Sequence, residues 1–103
     1  MAKTYFEDVV GEIQAEAEAE GPEAVAELRS LEHRFRLAGQ LVALRGARAV
    51  SQTKLAELTG VHQSEISRIE RGVGNPTEDT LARLGSALGA HLEFVADSSA
   101  VLA

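Results

Sequence analysis

In the stretch GVHQSEISRIERG, residues 60–72, the side chains able to do chemistry are amides, hydroxyls and arginines. Ile66 and Ile69, three apart, fix the buried side of a helix over 63–71. Its outer side then shows Gln63, Ser64, Ser67 and Arg68, with His62 at the tip. A glutamine amide bonds adenine bidentately, an arginine fork bonds guanine O6 and N7, and a serine hydroxyl serves either base. A face that only met water would usually carry Glu and Lys here. These residue types suit the reading of base edges in a major groove. The first amides of such a helix also offer donors to phosphate.

Presenting that face requires a second helix behind it. Counted from Gln52, the chain meets six demands of two helices joined by a tight turn over residues 52–71. Leu55 is apolar, and Ala56 is small where the helices cross. Gly60 accepts the positive φ of the turn. Val61 plugs the corner, and Ile66 and Ile69 pack the second helix on the first. A short glycine-containing turn is what a helix-turn-helix uses. A purely structural helical hairpin would rarely satisfy all six at once.

The flanking elements read as helices. Phe6, Val9, Val10 and Ile13 keep i, i+3, i+4, i+7 spacing. The Ala/Glu alternation that follows is helical, because neither residue favours a sheet. Gly21-Pro22 breaks the first helix and opens the next. Val25, Leu28, Leu31, Phe35, Ala38, Leu41, Val42 and Leu44 then form one long helix, or two with a joint near Ser30. Ser51 is placed to cap the helix over 52–59, and Thr77 the helix carrying Leu81, Leu84 and Leu88. Either His62 or Gln63 caps the helix over 63–71, with Glu65 placed to reach back, and Gly72 closes it. Residues 91–95, HLEFV, loosely alternate and are a candidate short strand; the last residues are expected to fray. This divides the chain into an acidic helical leader (1–30), a helix-turn-helix domain (31–96) and a tail (97–103). The fold expected is all-α.

Composition sets the wider frame. With 103 residues, 45% of them hydrophobic and 4% aromatic, the chain supports one aliphatic core. It has no Cys, which excludes disulfides, thiolate metal sites and cysteine catalysis. No run resembles a signal peptide or a membrane span, so a soluble cytoplasmic protein is expected. His33, His62 and His91 do not sit at metal-ligand spacing with carboxylates, so no metal and no cofactor is assigned. No nucleophile–base set or phosphate-cradling loop stands out, so no enzyme is expected. A formal charge of −6 would repel DNA, but the excess acid lies in residues 1–30, and the charges of residues 31–103 cancel. Beyond about a Debye length, roughly 8–10 Å at physiological salt, the leader's acid is largely screened.

The motifs SQxxLAxLTGVxQSxISRIExG and NPTxxTLxRLxxALG, over about residues 37–92, resemble the phage-repressor-like (Xre/Cro) helix-turn-helix family that contains the λ and 434 repressors. The preceding GPEAVAELRSLEHRFRLAGQLVALR and the strand-like tail resemble those of HigA-like type II antitoxins. The resemblance implies a λ-repressor-like domain with base contacts at Gln63, Ser64, Ser67 and Arg68. It implies phosphate contacts at Gln52, with Ser51 beside it, and at Arg71. It also implies an ion pair between Arg45 and Glu70 that pins the reading helix. His62 departs from the family's usual Ser or Thr, and caps more poorly.

The function this implies is a repressor that binds a palindromic double-stranded operator as a homodimer. As an antitoxin it would also neutralise a basic HigB/RelE-like toxin, to which an acidic leader is complementary, because RNA-cleaving toxins must be cationic. A solvated helix face is the plainer reading of that acid. The competing functions are a stand-alone regulator of the same family and a protein-interaction adaptor that does not bind DNA. The interface of the dimer is open between residues 91–95 and the Phe6–Ile13 stripe.

Overall fold

The computed structural model describes residues 5–97. It consists of five helices: α1 Tyr5–Glu20, α2 Pro22–Arg48, α3 Gln52–Thr59, α4 Gln63–Glu70 and α5 Glu78–Ala87. None of the helices among the described residues is long and apolar enough to cross a membrane.

α1 and α2 are separated by Gly21 alone, at φ 119° and ψ −177°, a backbone that only glycine adopts without strain. The helices fold back as a hairpin: Ile13, Glu16, Ala17 and Glu20 share one groove with Ala24, Glu27, Leu28, Leu31 and Arg34. Ala17 is the buried contact on the α1 side. α2 runs unbroken for 27 residues, so of the two arrangements the sequence allowed there is no joint at Ser30. Neither glycine nor proline occurs near Ser30 to make one.

The main core lies beyond α1, around the C-terminal end of α2. Leu41 from the end of α2 meets Leu55, Val61, Ile66, Ile69, Leu84 and Leu88, with Leu44, Val50, Ala56 and Leu81 packed around them. Leu55, Ile66, Leu84 and Leu88 are fully buried, and each contributes about 1.5–3 kcal/mol by leaving water. The six residues that the sequence pattern singled out, Leu55 to Ile69, thus build the packed corner of the fold.

Three helices end in the same way. In the Schellman arrangement a left-handed residue ends the helix and the residue after it bonds back five positions. Val50 bonds Arg45 O, Val73 bonds Arg68 O and Ala90 bonds Gly85 O, at 2.8–3.0 Å. Gly72 and Gly89 take the left-handed position after α4 and α5, but after α2 it falls on Ala49 at φ 55°.

The strand considered at 91–95 does not form: the described residues from 91 to 97 are irregular. A strand needs a neighbour to satisfy its amides, and no other described segment of this chain is extended beside it. The chain is all-helical over its described residues. Of the tail expected at 97–103, only Asp97 lies within the described residues, as does none of Met1–Thr4.

Candidate nucleic-acid interface

α4 is held from three sides. Its buried stripe, Ile66 and Ile69, packs on Leu55 and Leu41. Its start is tied to α3, where the Thr53 hydroxyl donates to Gln63 Oε1 at 3.3 Å. Its end is clamped by Arg45, whose Nε and Nη2 donate to Glu70 Oε2 and Oε1, both at 2.7 Å. Arg45 Nη1 also bonds Val50 O at 3.0 Å, which joins the clamp to the α2–α3 turn. The Glu70 side chain is 7% exposed and that of Arg45 20%. The Arg45 hydrogen bonds hold the Glu70 carboxyl below the ordinary carboxylate range; burial opposes this and the Gln52 amide assists. The same hydrogen bonds raise the guanidinium of Arg45.

The remaining side of α4 faces water. Gln63, Ser64 and Arg68 are exposed and Ser67 is half-buried, so the four lie on the open side of the helix. Arg68 does not reach straight out. Its guanidinium lies against Gly74, where a Cβ would sit 3.5 Å from Nη2. Together with His62, Ser64, Glu65, Val73, Asn75 and Pro76 it lines a recess beside the helix.

His62 occupies the N-cap with extended backbone, and its side chain makes no capping hydrogen bond. Glu65 and Ile66 bond its carbonyl, leaving the first amides of α4 without a side-chain partner. Ser51, by contrast, caps α3: its Oγ accepts from Lys54 N at 3.0 Å. Gln52 is half-buried and donates to Glu70 Oε1 at 3.1 Å, so its amide serves the clamp. Arg71 is exposed at the far end, with Nε donating to Ser67 O at 3.3 Å. The sequence pattern marks Asn75-Pro76 as a loop but does not place it beside α4, and it gives Thr53 no role. Thr53 sits in the first turn of α3, one residue after Gln52, a position from which a hydroxyl reaches the start of the next helix.

An exposed polar face on a second helix, locked against a first by a glycine turn, is the layout of a helix-turn-helix. The chain belongs to the helix-turn-helix family HTH_3, which matches residues 41–95. An HTH-type transcriptional regulator of Haemophilus influenzae is 39% identical over 69 residues, 67% of this chain and 70% of that protein. Antitoxin HigA1 of Mycobacterium tuberculosis is 37% identical over 89 residues, 86% of this chain. The match covers 59% of HigA1, so this chain spans less than two thirds of it. The crystal structure of an HTH_3-family transcriptional regulator from Vibrio cholerae superposes with a TM-score of 0.56 at 38% identity, over 59% of this chain and 34% of that one.

Proposed function

We propose that the chain is a sequence-reading DNA-binding repressor, and that it is the antitoxin of a type II toxin–antitoxin pair. The observation that carries the DNA reading is the rigid mounting of α4. Its polar face is held by the Arg45–Glu70 clamp and the Gln63–Thr53 bond, and it is open to solvent. In this reading Gln63, Ser64, Ser67 and Arg68 meet base edges, and His62 stands beside them. The uncapped amides of α4, together with Ser51, Gln52 and Arg71, meet phosphates. Two copies would place two such helices on half-sites about one helical turn apart. Through this operator the protein would repress its own operon.

Supporting the antitoxin reading is the reach of the likeness to HigA1. At 89 residues it extends well outside residues 41–95, into the α1–α2 hairpin. That hairpin carries the excess acid and a groove between its helices lined by Glu16, Glu20 and Glu27 beside Ile13, Leu28 and Leu31, which suits a cationic toxin. The Haemophilus relative is named as a transcriptional regulator, which favours a stand-alone regulator as the second reading.

The test is fluorescence anisotropy on DNA from just upstream of the gene across a salt series, with Gln63→Ala/Arg68→Ala alongside. The wild type is expected to bind that DNA at least a hundredfold tighter than unrelated DNA, and the double variant to lose the difference. Equal affinity for both DNAs by the folded wild type would sink the sequence-reading function. For the partner, co-expression with the gene beside it should yield a complex that an α1 deletion abolishes. A free, dimeric regulator with no bound basic protein would favour the second reading.

A further inference from the structure

The turn that ends α4 also holds one of its own exposed side chains. Arg71 caps the helix, Gly72 turns left-handed at φ 72°, and Val73 N donates back to Arg68 O at 2.9 Å. Gly74 follows at φ 89°, beside the Arg68 side chain. A Cβ on Gly74 would sit 3.5, 3.7 and 3.9 Å from Arg68 Nη2, Nε and Cζ. The two nitrogens are nearer than the carbon between them. The Nε–Nη2 edge therefore faces the loop, and Nη1 points away from it.

The same turn is touched by α2. A Cβ on Gly72 would sit 3.1 and 3.2 Å from Cδ1 and Cε1 of Phe35. That is closer than the roughly 3.5–4.0 Å of ordinary carbon contact. The ring thus closes on the backbone of Gly72, in space that a side chain at 72 would need. Phe35 is 58% exposed, and every residue from 29 to 36 is exposed. Most of the ring stays in water, so burial explains little of its placement. Phe35 also stands ahead of residues 41–95, the stretch that the helix-turn-helix family matches. The contact is one that α2 adds to that domain from outside it.

We infer that Phe35 is a positioning residue for Arg68: its ring braces the 72–74 turn, and the turn holds the guanidinium in the direction from which it reads a base. This deepens the DNA-reading function and rests on the base contact given to Arg68 there. Left-handed glycines at 72 and 74 leave a loop soft unless something packs on it. A guanidinium held before binding loses less freedom when it binds. Gln63, at the other end of α4, is braced separately by the Thr53 hydroxyl at 3.3 Å. α4 then carries two readers with independent supports, a glutamine held by α3 and an arginine held by α2 through the turn.

That independence supplies the test. The full-length protein is titrated by fluorescence anisotropy against the upstream DNA and single-base-pair variants of it. Arg68→Ala and Gln63→Ala mark the base pair that each residue reads, where a bidentate contact discriminates roughly tenfold to a hundredfold. Phe35→Ala is expected to bring the preference at the Arg68 base pair to within a few-fold of none. It should leave the Gln63 base pair unchanged and add nothing in an Arg68→Ala background. Phe35→Tyr keeps the ring and should match the wild type. If Phe35→Ala does not fold, Phe35→Leu, which keeps apolar cover without a flat ring, is measured in its place. A merely structural role would loosen all of α4 and flatten both base pairs alike. Such an equal loss, or an unchanged preference at the Arg68 base pair, would overturn the inference.

A second measurement separates the inference from the reading beneath it. In the free protein the NMR order parameter of Arg68 Nε–H should fall in Phe35→Ala, while that of the Gln63 side-chain amide holds. A wild type that binds every DNA variant equally sinks the base reading. The bracing of Arg68 by Phe35 then stands if the Arg68 order parameter falls, and is overturned if it does not.

Discussion

Replacing Arg45 by alanine tests the central claim about α4. The clamp consists of two charge-assisted hydrogen bonds of 2.7 Å onto a carboxylate whose side chain is 7% exposed. Arg45→Ala leaves that carboxylate with the single Gln52 bond of 3.1 Å. Breaking one partner of a buried pair costs about 3–5 kcal/mol. Arg45 is 20% exposed, so water enters part of the gap and the lower end applies, about 3 kcal/mol. A domain of this size loses about 4–8 °C of melting temperature per kcal/mol, so the transition should fall by about 15 °C. Urea unfolding and thermal melting, both followed by circular dichroism, measure the free energy and the temperature shift. The pH dependence gives a second reading. The Glu70 carboxyl is lowered in the folded state, so its stabilisation is complete above the unfolded carboxyl value. It is lost as pH falls through the folded value. The penalty of Arg45→Ala should therefore be full at pH 7 and shrink in acid, where the carboxyl protonates in both proteins. The apolar pair Arg45→Met/Glu70→Leu should be more stable than either single variant. A loss below about 1 kcal/mol for Arg45→Ala, where a fully exposed pair would sit, would refute the view that this pair pins the reading helix.

Four further substitutions probe the helix ends and the phosphate contact proposed for Arg71. Ala49 holds a left-handed backbone that costs an L-residue about 1–2 kcal/mol, so Ala49→Gly should stabilise the fold by about 1 kcal/mol in the same urea assay. Ser51→Ala removes the cap on Lys54 N and should cost about 1 kcal/mol, whereas His62→Asp supplies a missing cap and should gain a similar amount. That gain would come with weaker DNA binding, because a carboxylate then occupies the amides offered to phosphate. Arg71→Ala should weaken binding to specific and unrelated DNA by the same factor and lower the salt slope by about 0.9; a loss confined to one sequence would assign Arg71 to base reading instead.

The sequence disclosed most where several constraints fall on consecutive residues. Leu55, Ala56, Gly60, Val61, Ile66 and Ile69 each answer a different steric demand of one corner, and their joint spacing admits few other arrangements. The long helix was legible in its period but not in its continuity, since Ser30 is compatible with either a cap or an interior position. The loose alternation at 91–95 makes a short strand a candidate and no more. Whether a strand forms depends on a partner's backbone, which one chain's pattern cannot supply. On α4 the pattern placed Gln63, Ser64, Ser67 and Arg68 on the side open to solvent but could not say what each touches. Gln52 turned inward because Glu70 offers it a half-buried acceptor, and Arg68 folded over because Gly74 has no side chain to stop it. Both are tertiary facts, set by residues 18 and 6 positions away.

Charge is where local and global demands meet in this chain. The acid concentrated at the hairpin joint, Glu18, Glu20, Glu23 and Glu27, is separated from Arg45 by the length of α2. From Glu27 to Arg45 is 18 residues, or about 27 Å at 1.5 Å per residue. That is roughly three Debye lengths at physiological salt. An unbroken helix keeps this separation in a way that a jointed one would not. Of the two acids on α4, Glu65 and Glu70, the latter is neutralised in place by Arg45, and Lys54 stands beside Glu57 at 3.8 Å. α4 therefore meets its surroundings with Arg68 and Arg71 uncancelled except by Glu65. The net charge of −6 reports mainly on the hairpin. One rigid helix carries acid at one end and fastens α4 at the other, so under the proposed function a single chain would face a cationic protein and a polyanion at once.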